Sequence, residues 1–323
     1  MNVTGSLMSP SRREFLRSST LFFGAAAMAS AMPVGMFAQQ DDAAKLDELR
    51  KKISGPITVT KVAGSVSMLS GAGGNIGILT GSEGKLIVDS GVSTSSADVV
   101  KAIGQVDAQP LKYLVNTHWH FDHTDGNLPV HAAGATIVAH AKTRERLSTA
   151  QYMDLVKIHF PAAPAAALPT RTLTDAFTFY QGGEEILLQT VKPAHTDTDL
   201  FVHFHESDVI HTGDLFFNGT YPLIDYSTGG NINGYVDAMA LLLTHAKDST
   251  KIIPGHGPLA SKANLATGHD VLAKIRDRVA AAKKSGKTLE ETIASKPTAD
   301  FDEKWGKGLI GPDAIVTLTY KTL

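Results

Sequence analysis

The sequence predicts an α/β protein arranged as a four-layer αβ/βα sandwich. Strand-like apolar runs fall into two series along the 323-residue chain, and helix-like segments accompany each series. One of these runs leads directly into a cluster of histidines and an aspartate, and rigid scaffolds commonly present functional side chains at strand ends. Two β-rich halves, with helices outside and polar side chains at a shared rim, account for these observations.

The first series consists of four short strands, a helix and a buried strand. Glycine-rich turns at 71–74 and 81–84 separate the early runs, as tight connections between antiparallel strands require. The predicted strands are 57–62, 65–69, 76–80, 86–88 and 112–115, and the predicted helix is 94–103.

The second series contains further strands and two long helices. Segment 158–169 has Pro161, Pro164 and Pro169 among alanines, so we do not expect it to be helical. It is either a cover near the functional site or a surface loop. The predicted elements are strand 136–139, a helix near 142–152, strands within 172–209, and helices at 234–246 and 260–284.

A motif of the form H-x-H-x-D-H follows the buried strand 112–115. Alternate residues of an extended chain share a face, so His118 and His120 are expected to point the same way. Asp122 and His123 come next, where the chain turns towards a helix. Imidazole and carboxylate groups suit Zn²⁺, so the motif predicts half of a two-metal site.

Three later segments offer further ligands, each after a strand-like run and beside turn-forming residues. His195 lies in an A-H-T-D segment, Asp214 in an H-T-G-D segment and His256 in a P-G-H-G segment. Each combines a strand with a turn that can aim one side chain at a common rim.

In this order the four motifs resemble those of metallo-β-lactamase-fold hydrolases, closely over 57–260 and more loosely beyond. The resemblance implies two Zn²⁺ ions, with iron or manganese as alternatives. It places His118, His120 and His195 on the first metal, Asp122, His123 and His256 on the second, and Asp214 between them.

The resemblance also implies hydrolysis by a hydroxide that bridges the two metals. Asp122 would orient this nucleophile and then handle the proton that the leaving group needs. A serine or cysteine nucleophile has no support, because the chain has no cysteine and no G-x-S-x-G elbow.

The resemblance further implies a small-molecule substrate with an ester, thioester, lactone or lactam bond. The commonest β-lactamase subclass has Cys at the position of Asp214 and Lys three residues later, where this chain has Phe217. An Asp bridge resembles glyoxalase II-like thioesterases and lactonases instead. The alternatives are a β-lactamase-like antibiotic hydrolase, a periplasmic accessory hydrolase of a quinoprotein system, and a metal-binding module without activity.

Three residues beyond the Asp214 segment are candidate substrate contacts. Tyr221 belongs to an apolar stretch that could form one wall of the site. Asn231 or Asn233, in a loop that follows Gly229-Gly230, could donate a hydrogen bond to an oxyanion. The alternative for this loop is a turn that uses Gly and Asn for backbone reasons only.

The remaining histidines are predicted to be structural. His203 and His205 alternate with apolar residues and lack a following D-H pair, so they are interpreted as a solvated face of a strand. His211 is interpreted as a strand-end residue. The others lie in helix-like or loop-like polar surroundings, namely His131, His140, His159, His245 and His269.

The N-terminus is predicted to direct export. Residues 11–16 contain the pair Arg12-Arg13 of a twin-arginine motif, and a weakly hydrophobic, Ala/Gly-rich segment follows at 21–38. We expect cleavage after Ala38, with Ala31 as an alternative; an uncleaved membrane anchor is the competing interpretation. The domain plan is therefore a signal peptide at 1–38, a charged lead-in at 39–56 and a hydrolase domain at 57–323.

Composition agrees with an exported small-molecule hydrolase. Without cysteine, the chain has neither disulfides nor thiolate ligands. Residues 1–38 carry three arginines and one glutamate, so their removal takes the formal charge from −2 to −4. We therefore expect no nucleic-acid partner, the twin-arginine machinery as export partner, periplasmic localisation and no stable membrane span after processing.

Overall fold

The computed structural model describes residues 34–323. The predicted twin-arginine motif and the first part of the hydrophobic segment lie outside the described residues. The chain divides into two compact units, Met1–Lys45 and Leu46–Leu323. Helix α1 (Val34–Ile53) supplies all the described residues of the first unit and runs past the predicted boundary at residue 38.

The first sheet has seven strands. The pairs β1/β2, β2/β3 and β3/β4 are antiparallel, whereas the pairs β4/β5, β5/β6 and β6/β9 are parallel. In order across the sheet, the strands are β1 (Ser54–Ala63), β2 (Val66–Ala72), β3 (Ile76–Leu79), β4 (Lys85–Val88), β5 (Leu111–Asn116), β6 (Thr136–His140) and β9 (Arg171–Leu173).

The second sheet has six strands, and all its neighbours are antiparallel except β13 and β14. A separate hairpin pairs β7 (Gln151–Met153) with β8 (Ile158–Phe160). The strands of the second sheet are β10 (Phe177–Gln181), β11 (Glu184–Thr190), β12 (Leu200–Phe204), β13 (Val209–His211), β14 (Lys251–Ile253) and β15 (Ala260–Ser261).

Nine further α-helices and four short 3-10 turns complete the described elements. Side-chain caps mark several starts: Asn231 accepts from the backbone of Gly234 at the start of α6, and Ser261 forms a capping box with Asn264 at the start of α7. The helices are α2 (Ser96–Val106), α3 (Phe121–Thr124), α4 (Asn127–Ala132), α5 (Ala141–Leu147), α6 (Ile232–His245), α7 (Lys262–Lys284), α8 (Leu289–Ala294), α9 (Asp302–Trp305) and α10 (Pro312–Thr322).

Alternation along the strands produces the four layers. In β4, Leu86 and Val88 belong to the core between the two sheets, whereas Ile87 packs in a cluster with side chains of α2 and α4. In β12, Val202 lies in the inter-sheet core and Phe201 packs in a cluster with α6, α7 and α10. Each sheet therefore buries both faces, and the predicted αβ/βα sandwich is confirmed.

The interpretation of His203 as a solvated residue is wrong. His203 is only 4% exposed, because it shares the helix-facing side of β12 with Phe201 and lies 6.1 Å, ring to ring, from His245 at the end of α6. His205, one turn of the pleat further on, is exposed. Alternation identified the shared face correctly but could not tell which face the helices cover. His211 is a buried strand-end residue, as predicted, and lies 3.1 Å from the carbonyl oxygen of Asn75.

The proline-rich segment 158–169 is not helical, as predicted, apart from one 3-10 turn at Ala165–Ala167. The predicted helix near 142–152 ends at Leu147, since residues from Gln151 onwards pair with β8. Within residues 34–323, no helix is both long enough and apolar enough to cross a membrane.

Candidate metal centre

All seven predicted ligands lie where strands end. Strand β5 stops at Asn116, and the chain then presents His118 and His120 before α3 carries Asp122 and His123. The other three follow β11, β13 and β14, which belong to the second sheet. Because the ends of both sheets meet at one rim, residues up to 138 positions apart in sequence come together; they are His118, His120, Asp122, His123, His195, Asp214 and His256.

The seven side chains form two groups, each with ligand atoms within 4.8 Å of one another. One group is His118, His120, His195 and Asp214, and the other is Asp122, His123 and His256. They are the two sets that the resemblance implied.

Asp214 lies between the two groups and turns one carboxylate oxygen to each. Its Oδ2 is 3.3 Å from Nε2 of His195 and 3.8 Å from Nε2 of His118. Its Oδ1 is 3.1 Å from Nε2 of His123 and 3.4 Å from Nε2 of His256. A carboxylate in this position can bind two cations at once.

The donor set fits divalent metal ions. His118 Nε2, His123 Nε2 and Asp214 Oδ1 are buried and have no hydrogen bond within the described part of the chain, although the last two lie 3.1 Å apart. Unsatisfied buried polar atoms are costly, and a metal at their focus would satisfy them. Nitrogen and oxygen ligands without sulfur suit zinc, and also iron or manganese.

Electrostatics keep His195 neutral and the carboxylates ionised, as metal binding requires, whereas His256 would have to release a proton to bind a metal. Burial lowers the pKa of His195 to about 4, so its ring is neutral at pH 7. Burial raises the pKa of Asp122, but His123 and His256 outweigh this effect and lower it to about 2. Burial lowers the pKa of His256, yet Asp214 and Asp122 raise it to about 9. The carboxylates are therefore ionised and attract cations.

Asp89 orients ligands of both groups. Its Oδ2 accepts from Nδ1 of His123 at 2.7 Å and from Oγ1 of Thr117 at 2.8 Å, and Thr117 Oγ1 in turn lies 3.0 Å from Nδ1 of His118. These contacts fix the Nδ1–H tautomers and leave Nε2 of both histidines for metal binding. Asp89 adopts a φ of 66°, a conformation that Asp tolerates better than most residues.

A second brace comes from the loop between the Asp214 turn and α6. Asp225 Oδ2 lies 3.1 Å from Nε2 of His120 and accepts a hydrogen bond from Thr228 Oγ1 at 2.6 Å. The backbone carbonyl of Leu223 accepts from Nδ1 of His195 at 2.8 Å. This loop therefore orients two of the three histidines in the first group.

Two glycines make room for the ligands. A Cβ on Gly255 would lie 2.0 Å from Asp214 Oδ1, and a Cβ on Gly74 would lie 2.3 Å from Cε1 of His123. Both distances are far shorter than any tolerable contact. Glycine is therefore required here for close approach.

Comparison with known proteins identifies the family. Residues 69–263, more than half of the chain, match the sequence profile of the Metallo-beta-lactamase superfamily. The chain belongs to the metallo-β-lactamase superfamily. One relative is the acyl-coenzyme A thioesterase MBLAC2 of Gallus gallus, 26% identical over 208 residues that cover 58% of this chain and 73% of the relative. Another is a hydroxyacylglutathione hydrolase of Polaromonas sp., 26% identical over 162 residues that cover 48% of this chain and 52% of the relative.

Solved structures of metallo-β-lactamases share the fold. A metallo-β-lactamase from Pontibacter korlensis gives a TM-score of 0.56 at 19% identity and covers 68% of this chain and 99% of its own. The sec-alkylsulfatase Pisa1 from Pseudomonas sp. gives a TM-score of 0.64 at 17% identity and covers 82% of this chain and 50% of its own. This metallo-β-lactamase-superfamily protein is a hydrolase, as the sequence predicted.

Two of the three predicted substrate contacts have other partners, and the third is exposed. Tyr221 is 1% exposed, and its hydroxyl donates to Asp302 at 2.8 Å. Asn231 caps α6, and its side-chain Nδ2 donates to the carbonyl groups of Pro193 and Gly229. Asn233 is exposed on the first turn of α6. The loop thus has the alternative role that we considered, a turn shaped by Gly and Asn, and it also supports the ligands.

Sequence reasoning missed Asp89 and Asp225. Asp89 directly follows strand β4, so an aspartate at a strand end was an available signal. Asp225 lies among turn residues in Asp225-Tyr226-Ser227-Thr228, and nothing in that pattern distinguishes it from an ordinary turn aspartate. Phe217 belongs to the apolar stretch that the sequence suggested as a wall of the site, and its ring stacks on His256 with centroids 4.7 Å apart.

Proposed function

We propose that this hydrolase is exported, binds two zinc ions and cleaves thioesters of small molecules. The observation that carries the proposal is the position of Asp214, whose carboxylate faces both ligand groups. The relatives support the thioester class, because one is named an acyl-coenzyme A thioesterase and another a hydroxyacylglutathione hydrolase. The exported state rests on the Arg12-Arg13 motif and the Ala/Gly-rich segment that follows it.

When bound, the two ions supply Lewis acidity and a water of lowered pKa. Water adds to the thioester carbonyl carbon, the C–S bond breaks, and the products are a carboxylic acid and a thiol. The side chains of the protein would hold the ions and transfer the protons of this reaction.

Asp122 is the group placed to move a proton. Its carboxylate is 12% exposed, and its Oδ2 lies 3.2 Å from Nε2 of His256, which is 28% exposed and thus the most accessible of the seven ligands. Because the low pKa keeps Asp122 ionised, it can accept a proton from the attacking water and pass it to the departing sulfur.

Phe217 forms an apolar wall beside His256, the most accessible of the seven ligands. Its ring stacks on the ring of His256 and lies 6.2 Å from that of His195. An aromatic face beside the ligands favours an uncharged group next to the scissile bond. This position is the one where the commonest β-lactamase subclass carries Lys.

A panel of matched substrates tests the proposal. Zinc-loaded protein is assayed with an acetyl thioester, the corresponding oxyester, a lactone and a β-lactam. We expect the thioester to have the highest kcat/KM, and removal of zinc by a chelator to abolish its hydrolysis. A higher kcat/KM for the β-lactam or the lactone, or thioester hydrolysis that survives metal removal, contradicts the proposal.

A further inference from the structure

A cavity of about 220 Å³ lies against the loop that carries the metal ligands. Its apolar lining includes Trp119, Phe121, Leu128, Leu147 and Phe160. Ala162, in the proline- and alanine-rich segment, forms part of the remaining wall. Segment 158–169, for which the sequence left a cover and a surface loop as alternatives, therefore lies against this cavity, beside the ligand loop.

Successive side chains of the ligand loop, residues 118–122, alternate between the metal centre and the cavity. Trp119 and Phe121 line the cavity, whereas their neighbours His118, His120 and Asp122 are ligands. The Phe121 ring stacks on Phe160 with centroids 5.4 Å apart. The Trp119 ring also packs against the ring of the ligand His120, with centroids 4.8 Å apart, so the cavity adjoins the metal centre through side chains of the ligand loop.

The charges at the cavity are already neutralised. Arg50 binds Asp125 at 2.7 Å, and Arg146 binds Asp197 at 2.8 Å. Both arginines line the cavity, but each forms an ion pair with a neighbouring carboxylate. An anionic group would have to displace an aspartate, whereas an uncharged chain gains contact with five large apolar side chains. The cavity therefore suits a hydrocarbon group.

The volume of the cavity indicates how large a hydrocarbon group it can hold. An apolar cavity of about 150 Å³ in another protein holds benzene, so 220 Å³ accommodates six carbons or more. We propose that this cavity holds the acyl chain of a medium-chain acyl thioester whose carbonyl group is at the metal centre. This inference rests on the proposed thioesterase function and adds the chain that the substrate carries.

A chain-length series tests the proposal. Each methylene transferred from water to the cavity should raise kcat/KM about four-fold, from acetyl thioester upwards until the cavity is full. Ala162→Phe narrows the cavity and should lower kcat/KM for the octanoyl thioester by at least about ten-fold, with acetyl thioester hydrolysis unchanged. Ala166→Phe is the matched control, because Ala166 is exposed in the same segment, as Ala162 is, but does not line the cavity. Equal kcat/KM for all chain lengths, or an octanoyl preference that survives Ala162→Phe, overturns the proposal.

Direct binding separates this proposal from the proposed reaction. Trp119 and Trp305 are the two tryptophans of the chain, and only Trp119 lines the cavity. Octanoate should change the fluorescence of zinc-loaded protein, acetate should not, and Trp119→Phe or Ala162→Phe should remove the response. If octanoate changes the fluorescence but the zinc-loaded protein does not hydrolyse thioesters, the proposed reaction is refuted and the acyl-chain site is supported. Activity without any octanoate response refutes the site and leaves the reaction standing.

Discussion

Asp225 faces Nε2 of His120 at 3.1 Å, so that the other nitrogen of this ring, Nδ1, points to the metal centre. Nδ1 of His120 lies 2.9 Å from Nε2 of His195, which is the spacing of two ligand atoms converging on one ion. His120 thus presents Nδ1 to the metal centre. His195 presents Nε2 instead, and its Nδ1 donates to the backbone carbonyl of Leu223. Asp225 thereby decides the tautomer of His120.

We expect Asp225→Asn to weaken metal binding on the His118, His120 and His195 side. An amide can donate to His120 Nε2 and favour the wrong tautomer, and loss of such a support typically costs 10–100-fold in metal affinity. Competition with a zinc chelator measures both affinities. Asp237→Asn, at an exposed position of α6, is the control. Equal affinities in Asp225→Asn and wild type would show that Asp225 does not position the ligand.

Asp122→Asn should separate metal binding from proton transfer. The amide oxygen can still bind zinc, but the side chain can no longer accept a proton. With two zinc ions bound, kcat should fall by at least about 10²-fold, most of all for substrates with poor leaving groups. His256→Ala is the comparison, because it should lose metal and activity together and recover part of both in excess zinc. Turnover near that of the wild type at full occupancy would reduce Asp122 to a ligand only.

His203 should make the protein less stable in acid. Burial, followed by His205 and His245, lowers its pKa in the folded state to about 4 from 6.5. Between these values the unfolded chain binds more protons, so the free energy of unfolding falls as pH drops from 6.5 towards 4. His203→Gln should reduce the loss between pH 7 and pH 5 by about 1 kcal/mol. Urea denaturation at both pH values measures it, with His269→Gln as control. Parallel losses in wild type and His203→Gln would refute this role.

Export should depend on the paired arginines. Replacing Arg12 and Arg13 together by Lys preserves charge but removes the motif that the twin-arginine machinery reads. The variant should stay in the cytoplasm at full length, and cell fractionation with mass spectrometry measures both properties. Arg17→Lys, outside the pair, is the control. Accumulation of the double variant in the periplasm at the level of the wild type would exclude the twin-arginine route.

The fold and the ligand set were predictable for a physical reason. Strand alternation and strand-end chemistry are local, so the spacing of His118, His120, Asp122 and His123 already indicates one shared site. The structure places His195, Asp214 and His256 beside them, as the family order implied.

What the sequence did not reveal depends on contacts between distant segments. Asp225 reaches His120 across 105 positions, and Asp89 reaches His123 across 34. His203 was misassigned because alternation does not say which face of a strand a later helix covers. The role of Asn231 stayed open in the sequence because a helix cap and an oxyanion donor use the same side-chain amide, and only the position of α6 shows that Asn231 caps a helix.

Zinc content tests the central claim most directly, since the proposed reaction depends on two metals held by one shared carboxylate. Apoprotein of the mature chain is titrated with zinc, dialysed and analysed by mass spectrometry for metal per chain, alongside Asp214→Ala. We expect close to two zinc ions per wild-type chain and the loss of at least one in Asp214→Ala. A single tightly bound ion, retained unchanged when Asp214 is removed, would contradict the two-metal centre.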